Sequence, residues 1–130
     1  MSKEKTLSAI LDIGIIPIVR ASSPQAAIQA AQAIYRGGIR AVEITMTVPG
    51  ALQVLEKVAD EFGDKMTLGA GTVLDPESAR ASMLAGAEFF VTPALKPATI
   101  EICRRYSKVI MPGALTPTEV QTAWEAGADL

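Results

Sequence analysis

Two charged residues stand where charge is hard to place. Glu43 sits in the run Ala41-Val42-Glu43-Ile44-Thr45, between two branched aliphatics, and Arg20 ends the run Ile16-Pro17-Ile18-Val19-Arg20. A carboxylate in an apolar strand must be paired or used. Burial raises its pKa, which is what a general acid or base near neutral pH requires. The competing reading of Glu43 is a structural ion pair with an inward basic residue. Arg20 offers a planar fork for a carboxylate or phosphate. Its competing readings are a solvated strand end or the structural partner of Glu43. A third segment, Gly69-Ala70-Gly71-Thr72, exposes backbone N–H groups and a hydroxyl. It reads either as an anion cradle or as a tight strand-to-helix turn, and it lacks the further residues of a P-loop or dinucleotide fingerprint. Thr92-Pro93 and Pro112-Gly113 are similar strand-end turns, explained by turn chemistry or by a place in a pocket wall.

The residue types that are missing narrow the chemistry further. The 130-residue chain has no histidine and one cysteine, Cys103. This excludes histidine-dependent triads and shuttles, nearly all zinc sites and any intrachain disulfide. Acid–base work falls to Glu, Asp, Lys or Tyr, and no metal or cofactor is expected. Of the lysines, Lys3, Lys5 and Lys57 fall on helices, while Lys65 and Lys108 precede strands. Lys96 alone lies near the strand ends, in a Pro-flanked loop where solvation disfavours a nucleophilic amine. Cys103 reads as a small core residue, and Trp124 as core or interface. Twelve basic residues against 14 acidic ones give a net charge of −2, without the basic excess of a nucleic-acid binder. No run of about 18 apolar residues marks a membrane span, and the opening Met-Ser-Lys-Glu-Lys-Thr is not a signal peptide. The cytoplasm is the default compartment.

The elements that must hold these residues alternate between strand and helix. Strands are expected at 15–19, 39–45, 66–69, 88–92 and 109–111. Helices are expected at 24–36, 49–62, 76–85, 97–106 and 118–125, with a leading amphipathic helix at 3–13 and the start of a sixth strand at 128–130. Ser23-Pro24, Asp75-Pro76 and Thr116-Pro117 repeat one signal, a capping residue followed by Pro at the first helical position. Gly37, Gly86 and Gly127 are the expected helix stops. Such alternation implies parallel strands joined by right-handed crossovers. Glu43 shares a strand face with Ala41 and Thr45, opposite Val42 and Ile44. Small and polar residues on one face suit the inside of a (β/α)8 barrel better than a doubly wound sheet. Pro17 sits awkwardly inside a strand.

The ordered set of motifs carries a resemblance across the whole chain. Ile16-Pro17-Ile18-Val19-Arg20, Gly37-Gly38-Ile39, Val42-Glu43-Ile44-Thr45, Gly69-Ala70-Gly71-Thr72-Val73, Val91-Thr92-Pro93 and Met111-Pro112-Gly113 resemble the 2-keto-3-deoxy-6-phosphogluconate aldolase family, with the related 4-hydroxy-2-oxoglutarate aldolases. The resemblance implies a (β/α)8 TIM barrel, here about the first five units plus the N-terminal helix, in one incomplete domain over 1–130. It implies a homotrimer and a metal-free class I aldolase acting on a small keto acid. It assigns proton transfer through a water to Glu43, the pyruvyl carboxylate to Thr72 and a pocket wall to Pro93. Thr47 stands where some members carry a substrate-binding arginine, which points to Arg20 for that task. The family's Schiff-base lysine follows the Gly-Ala-Asp segment, matched here by Gly127-Ala128-Asp129, so it is expected beyond Leu130. The phosphate site of the last strands is expected there too. Two other readings are a non-catalytic truncated barrel serving as a binding module, and another phosphosugar barrel family with a similar first half.

Overall fold

The computed structural model describes residues 1–130. Helix α1 spans Lys3–Ile13. Then follow β1 (Ile18–Val19), α2 (Pro24–Arg36), β2 (Ala41–Thr45), α3 (Ala51–Phe62), a short 3-10 turn at Gly63–Lys65, and β3 (Thr67–Gly71). The chain continues through α4 (Pro76–Leu84), β4 (Phe89–Thr92), α5 (Pro97–Arg105), β5 (Val109–Pro112) and α6 (Pro117–Glu125). The five strands form one sheet in the order β1-β2-β3-β4-β5, and every pair is parallel. The order never reverses, so the doubly wound alternative is ruled out. The sheet is open, with β1 and β5 at its edges.

Alternation of side chains across the strands builds two unequal cores. Val42, Ile44, Leu68, Ala70, Phe90 and Ile110 pack against α2–α5 in the larger cluster. Burying each large apolar side chain of this kind contributes about 1.5–3 kcal/mol. The other face carries a small cluster of Ile10, Phe89 and Val109, with Leu7 and Ile16 packed on it. Helix α1 supplies Leu7 and Ile10 and so covers this inner face.

The repeated caps form as expected. Ser23, Asp75 and Thr116 accept from the N–H three residues on, at 3.2, 2.6 and 3.2 Å. The helix ends correct one expectation. Gly37 is right-handed, and the left-handed residue of α2 is Gly38, with φ 93°. Ile39 N–H then reaches Ile34 C=O, as Ala87 reaches Ser82 and Ala128 reaches Ala123. Lys108 N–H bonds Cys103 C=O in the same way, with Ser107 at φ 51° in the glycine's place. The stop therefore recurs at α5 without a glycine to announce it.

Other boundaries also shift. The first strand begins at Ile18 rather than 15, because Pro17 has no N–H for a ladder, although its carbonyl accepts from Glu43 N–H at 2.9 Å. Helix α3 begins at Ala51 rather than Pro49, since Gly50 is left-handed with φ 65°. The third strand runs to Gly71 rather than stopping at Gly69. Residues 128–130 form no strand. Asp129 N–H makes one ladder-like bond to Ile110 C=O, but its own carboxylate takes Ile110 N–H at 2.9 Å. Trp124 is 69% exposed and joins no core here.

Candidate active site

Glu43 lies on the inner face of β2, opposite the helix-packed Val42 and Ile44. Its residue is 5% exposed, yet its carboxylate joins none of the salt bridges. Room for it comes from β3. A Cβ on Gly71 would stand 1.7 Å from Glu43 Oε1, and one on Gly69 would stand 2.1 Å from Phe89 Cε2. The two glycines thus clear floor space for a carboxylate and an aromatic ring. They lie within the strand, so the turn expected at this segment begins only after Gly71, at Thr72. Burial pushes the Glu43 pKa above the ordinary carboxylate value, and the Arg20 charge opposes that rise. A desolvated carboxyl beside a cation that does not neutralise it is a group poised to move a proton.

Arg20 follows directly on β1 and is exposed. It acts on Glu43 through space, and the ion pair between them does not form. Its fork is left open to solvent at the strand ends. Thr72 follows Gly71 and is half-buried with φ 57°. A β-branched residue in the left-handed region is strained, and such strain persists where the surroundings impose it. The flanking bonds, Met46 N–H to Gly71 C=O at 2.8 Å and Val73 N–H to Val91 C=O at 3.1 Å, hold it there.

Thr47 is exposed just past β2, with its Oγ1 2.9 Å from Thr45 Oγ1. Thr45 itself is fully buried and donates to Val19 C=O at 3.1 Å. Thr45 shares the inner face of β2 with Glu43, and its even spacing from Glu43 and Thr47 is the sequence signal for it. Pro93 is exposed at the end of β4. There Gly113 N–H donates to Thr92 C=O at 2.8 Å, and a Cβ on Gly113 would meet the Pro93 carbonyl at 2.6 Å. The two proline-containing turns are interlocked. Glu43, Arg20, Thr45, Thr47 and Thr72 come from three adjacent strands, and Pro93 from the fourth.

The lysines lie elsewhere. Lys3 pairs with Asp129 and Lys108 with Glu88, each at 2.8 Å, at the N-terminal ends of strands. Lys96 is half-buried just before α5, where its carbonyl accepts from Thr99 and Ile100. Cys103 is buried in the larger core, and its thiol pKa is pushed up to about 12 by burial, with Asp129 adding to the rise. It is a packing residue. No helix is long and apolar enough to cross a membrane.

Comparison with known proteins places this arrangement. The family model for KDPG and KHG aldolases matches residues 7–130. A 2-dehydro-3-deoxy-6-phosphogalactonate aldolase of Escherichia coli is 38% identical over 114 residues, covering 88% of this chain and 56% of the relative. A 2-dehydro-3-deoxy-phosphogluconate aldolase of Treponema pallidum is 34% identical over 119 residues, covering 92% and 56%. Among solved structures, a KDPG aldolase from Legionella pneumophila with pyruvate captured as a covalent carbinolamine superposes with TM-score 0.85 at 25% identity, over 99% of this chain and 61% of that one. The chain spans about half the length of the curated relatives it matches. With the family model covering nearly the whole of it, the chain belongs to the KDPG and KHG aldolase family.

Proposed function

We propose that the protein is a class I aldolase that cleaves a 4-hydroxy-2-keto acid into pyruvate and an aldehyde. The observation that carries this reading is Glu43, a nearly buried residue whose carboxylate joins no salt bridge and is seated over Gly71 on the inner face. In the reaction, a lysine amine condenses with the C2 carbonyl and releases water, giving an iminium. Glu43, through a water, accepts the proton of the C4 hydroxyl as the C3–C4 bond breaks. The bonding electrons move into the iminium and form an enamine. The aldehyde departs, Glu43 returns a proton to C3, and hydrolysis frees pyruvate and the amine. Arg20 and Thr72 hold the carboxylate, Thr47 contacts the substrate, and Pro93 lines the pocket.

By the family resemblance the Schiff-base lysine follows the Gly127-Ala128-Asp129 segment, and it is assigned beyond Leu130. The five parallel strands in sequential order, with α2–α5 on one face, are then the first units of one (β/α)8 barrel domain. The resemblance adds a homotrimer, and the single cysteine fits a cytoplasmic setting. The substrates in view are 2-keto-3-deoxy-6-phosphogluconate, giving glyceraldehyde 3-phosphate, and 4-hydroxy-2-oxoglutarate, giving glyoxylate. The name of the Escherichia coli relative adds the phosphogalactonate epimer.

The test is borohydride reduction with pyruvate on the protein as its own cell makes it, followed by peptide mapping. A pyruvate adduct on a lysine beyond Leu130 is the expected result. An adduct on Lys96 would overturn the lysine assignment. No adduct would overturn the aldolase reading in favour of a non-catalytic module. Release of pyruvate from each of the three substrates then ranks them.

A further inference from the structure

Thr45 is the one fully buried hydroxyl that joins two strand ends beside Glu43. Its Oγ1 lies 3.1 Å from Val19 C=O and 2.9 Å from Thr47 Oγ1. A carbonyl only accepts, and a threonine hydroxyl carries one hydrogen. Thr45 must therefore spend that hydrogen on Val19. The second contact is then donated by Thr47, whose own hydrogen is used in turn. What Thr47 shows to solvent is an oxygen with lone pairs and no proton to give. The other end of the chain of bonds matters equally. β1 is only two residues long, and Arg20 follows Val19 directly. The Thr45 bond anchors the carbonyl from which Arg20 departs.

We propose that Thr45 is a positioning residue, fixing the backbone that carries Arg20 and setting Thr47 as a hydrogen-bond acceptor toward a substrate hydroxyl. This rests on the aldolase reading and divides the labour within it. A substrate carboxylate has no proton to offer Thr47, so carboxylate binding falls to Arg20 and Thr72. A hydroxyl of the substrate chain can donate to Thr47. Thr47 is thereby a selector for hydroxylated substrate rather than a substitute for the arginine that some relatives carry at its position.

The test uses Thr45→Val, Thr45→Ser, Thr47→Val and the Val/Val double variant, each in the protein expressed from its complete gene. T45V keeps the side-chain shape and removes both hydrogen bonds. KM for the cleaved substrate is expected to rise about tenfold in T45V, the equivalent of one net hydrogen bond, with kcat within about threefold of wild type. T45S is expected to restore KM. T47V should raise KM by less than T45V, and the double variant should match T45V, because the two hydroxyls act as one unit. Equal KM in T45V and wild type, failure of T45S to rescue, or multiplied effects in the double variant would each overturn the proposal. Amide hydrogen exchange at Arg20 and Ala21 reads the anchor without catalysis. It is expected to speed up several-fold in T45V and not in T45S, and unchanged rates would overturn the anchor. A wild-type protein that neither cleaves substrate nor traps pyruvate would refute the aldolase reading and leave the exchange result to judge Thr45.

Discussion

At the N-terminal ends of the strands, Lys3 meets Asp129 and Lys108 meets Glu88, each at 2.8 Å, whereas Glu43 and Arg20 near the C-terminal ends have no partner within ion-pair reach. Both sets of charges are shielded or crowded by the same sheet. At one end the charges are satisfied by each other, and Asp129 also takes Ile110 N–H. At the other, burial works against the Glu43 charge and an open guanidinium stands near it. Paired charges hold a fold together but are chemically occupied. An unpaired buried carboxylate weakens the fold and is free to exchange a proton with a bound molecule. The difference supports the proposed site at the C-terminal ends, where parallel α/β proteins build their sites.

The sharpest way to break this contrast is to neutralise Glu43. E43Q is expected to lower turnover by about 10²–10⁴-fold, the range of general acid–base catalysis. It should also stabilise the protein at neutral pH. Burial raises the folded pKa of Glu43, so above the ordinary glutamate value of about 4.3 the folded chain holds its proton more tightly than the unfolded chain. Stability therefore falls as pH rises from that value through the raised pKa, and the deficit persists above it. Melting curves should show E43Q above wild type at pH 7 and converging with it in acid. A melting point for E43Q at or below wild type at pH 7 would mean that Glu43 is satisfied by a partner.

Displacing Glu43 without changing its chemistry is the next largest perturbation. Gly71→Ala puts a methyl where Glu43 Oε1 now sits. A carboxylate pushed about 1 Å off line is expected to lose roughly 10²-fold in turnover. Gly69→Ala, which drives against Phe89 instead, should show mainly as a lower melting temperature. If both variants lose stability alike and G71A keeps its turnover, the floor under Glu43 has no functional meaning.

At the opposite end, Glu88→Gln removes the partner of Lys108 and of the Met1 ammonium. The expected loss is about 1 kcal/mol of stability, as for partly exposed pairs, with turnover within about twofold of wild type. A large loss of turnover in E88Q would erase the contrast between the two ends. Smallest of all is Lys96→Met, expected to leave the yield of borohydride-trapped pyruvate unchanged, because Lys96 has no part in the proposed reaction.

Much of this fold is legible in residue types. Capping pairs such as Asp75-Pro76 announced helices that form with the expected first residue, and the alternation around Glu43 separated the two faces of β2. What was less legible depends on contacts distant in sequence. Ser107 closes α5 in a left-handed conformation that its residue type does not advertise. Gly71 reads as lying past the third strand because its reason for being glycine is Glu43 on the neighbouring strand, as the reason for Gly69 is Phe89 on the other side. Glu43 itself was visible because a carboxylate between Val42 and Ile44 violates local patterning, and such violations concentrate at functional sites. Thr45 violates nothing, since threonine is an ordinary strand residue. Its role emerges only when Val19 and Thr47 are found on either side of its hydroxyl.

The central claim, that Glu43 carries the proton, is tested most directly by exchange of the pyruvate methyl protons with deuterium from solvent, followed by NMR for wild type and E43Q. Wild type should exchange them through the enamine. E43Q should still be trapped on its lysine by borohydride but exchange at least about 100-fold more slowly. Exchange at the wild-type rate in an E43Q protein that still forms the adduct would show that another group moves the proton.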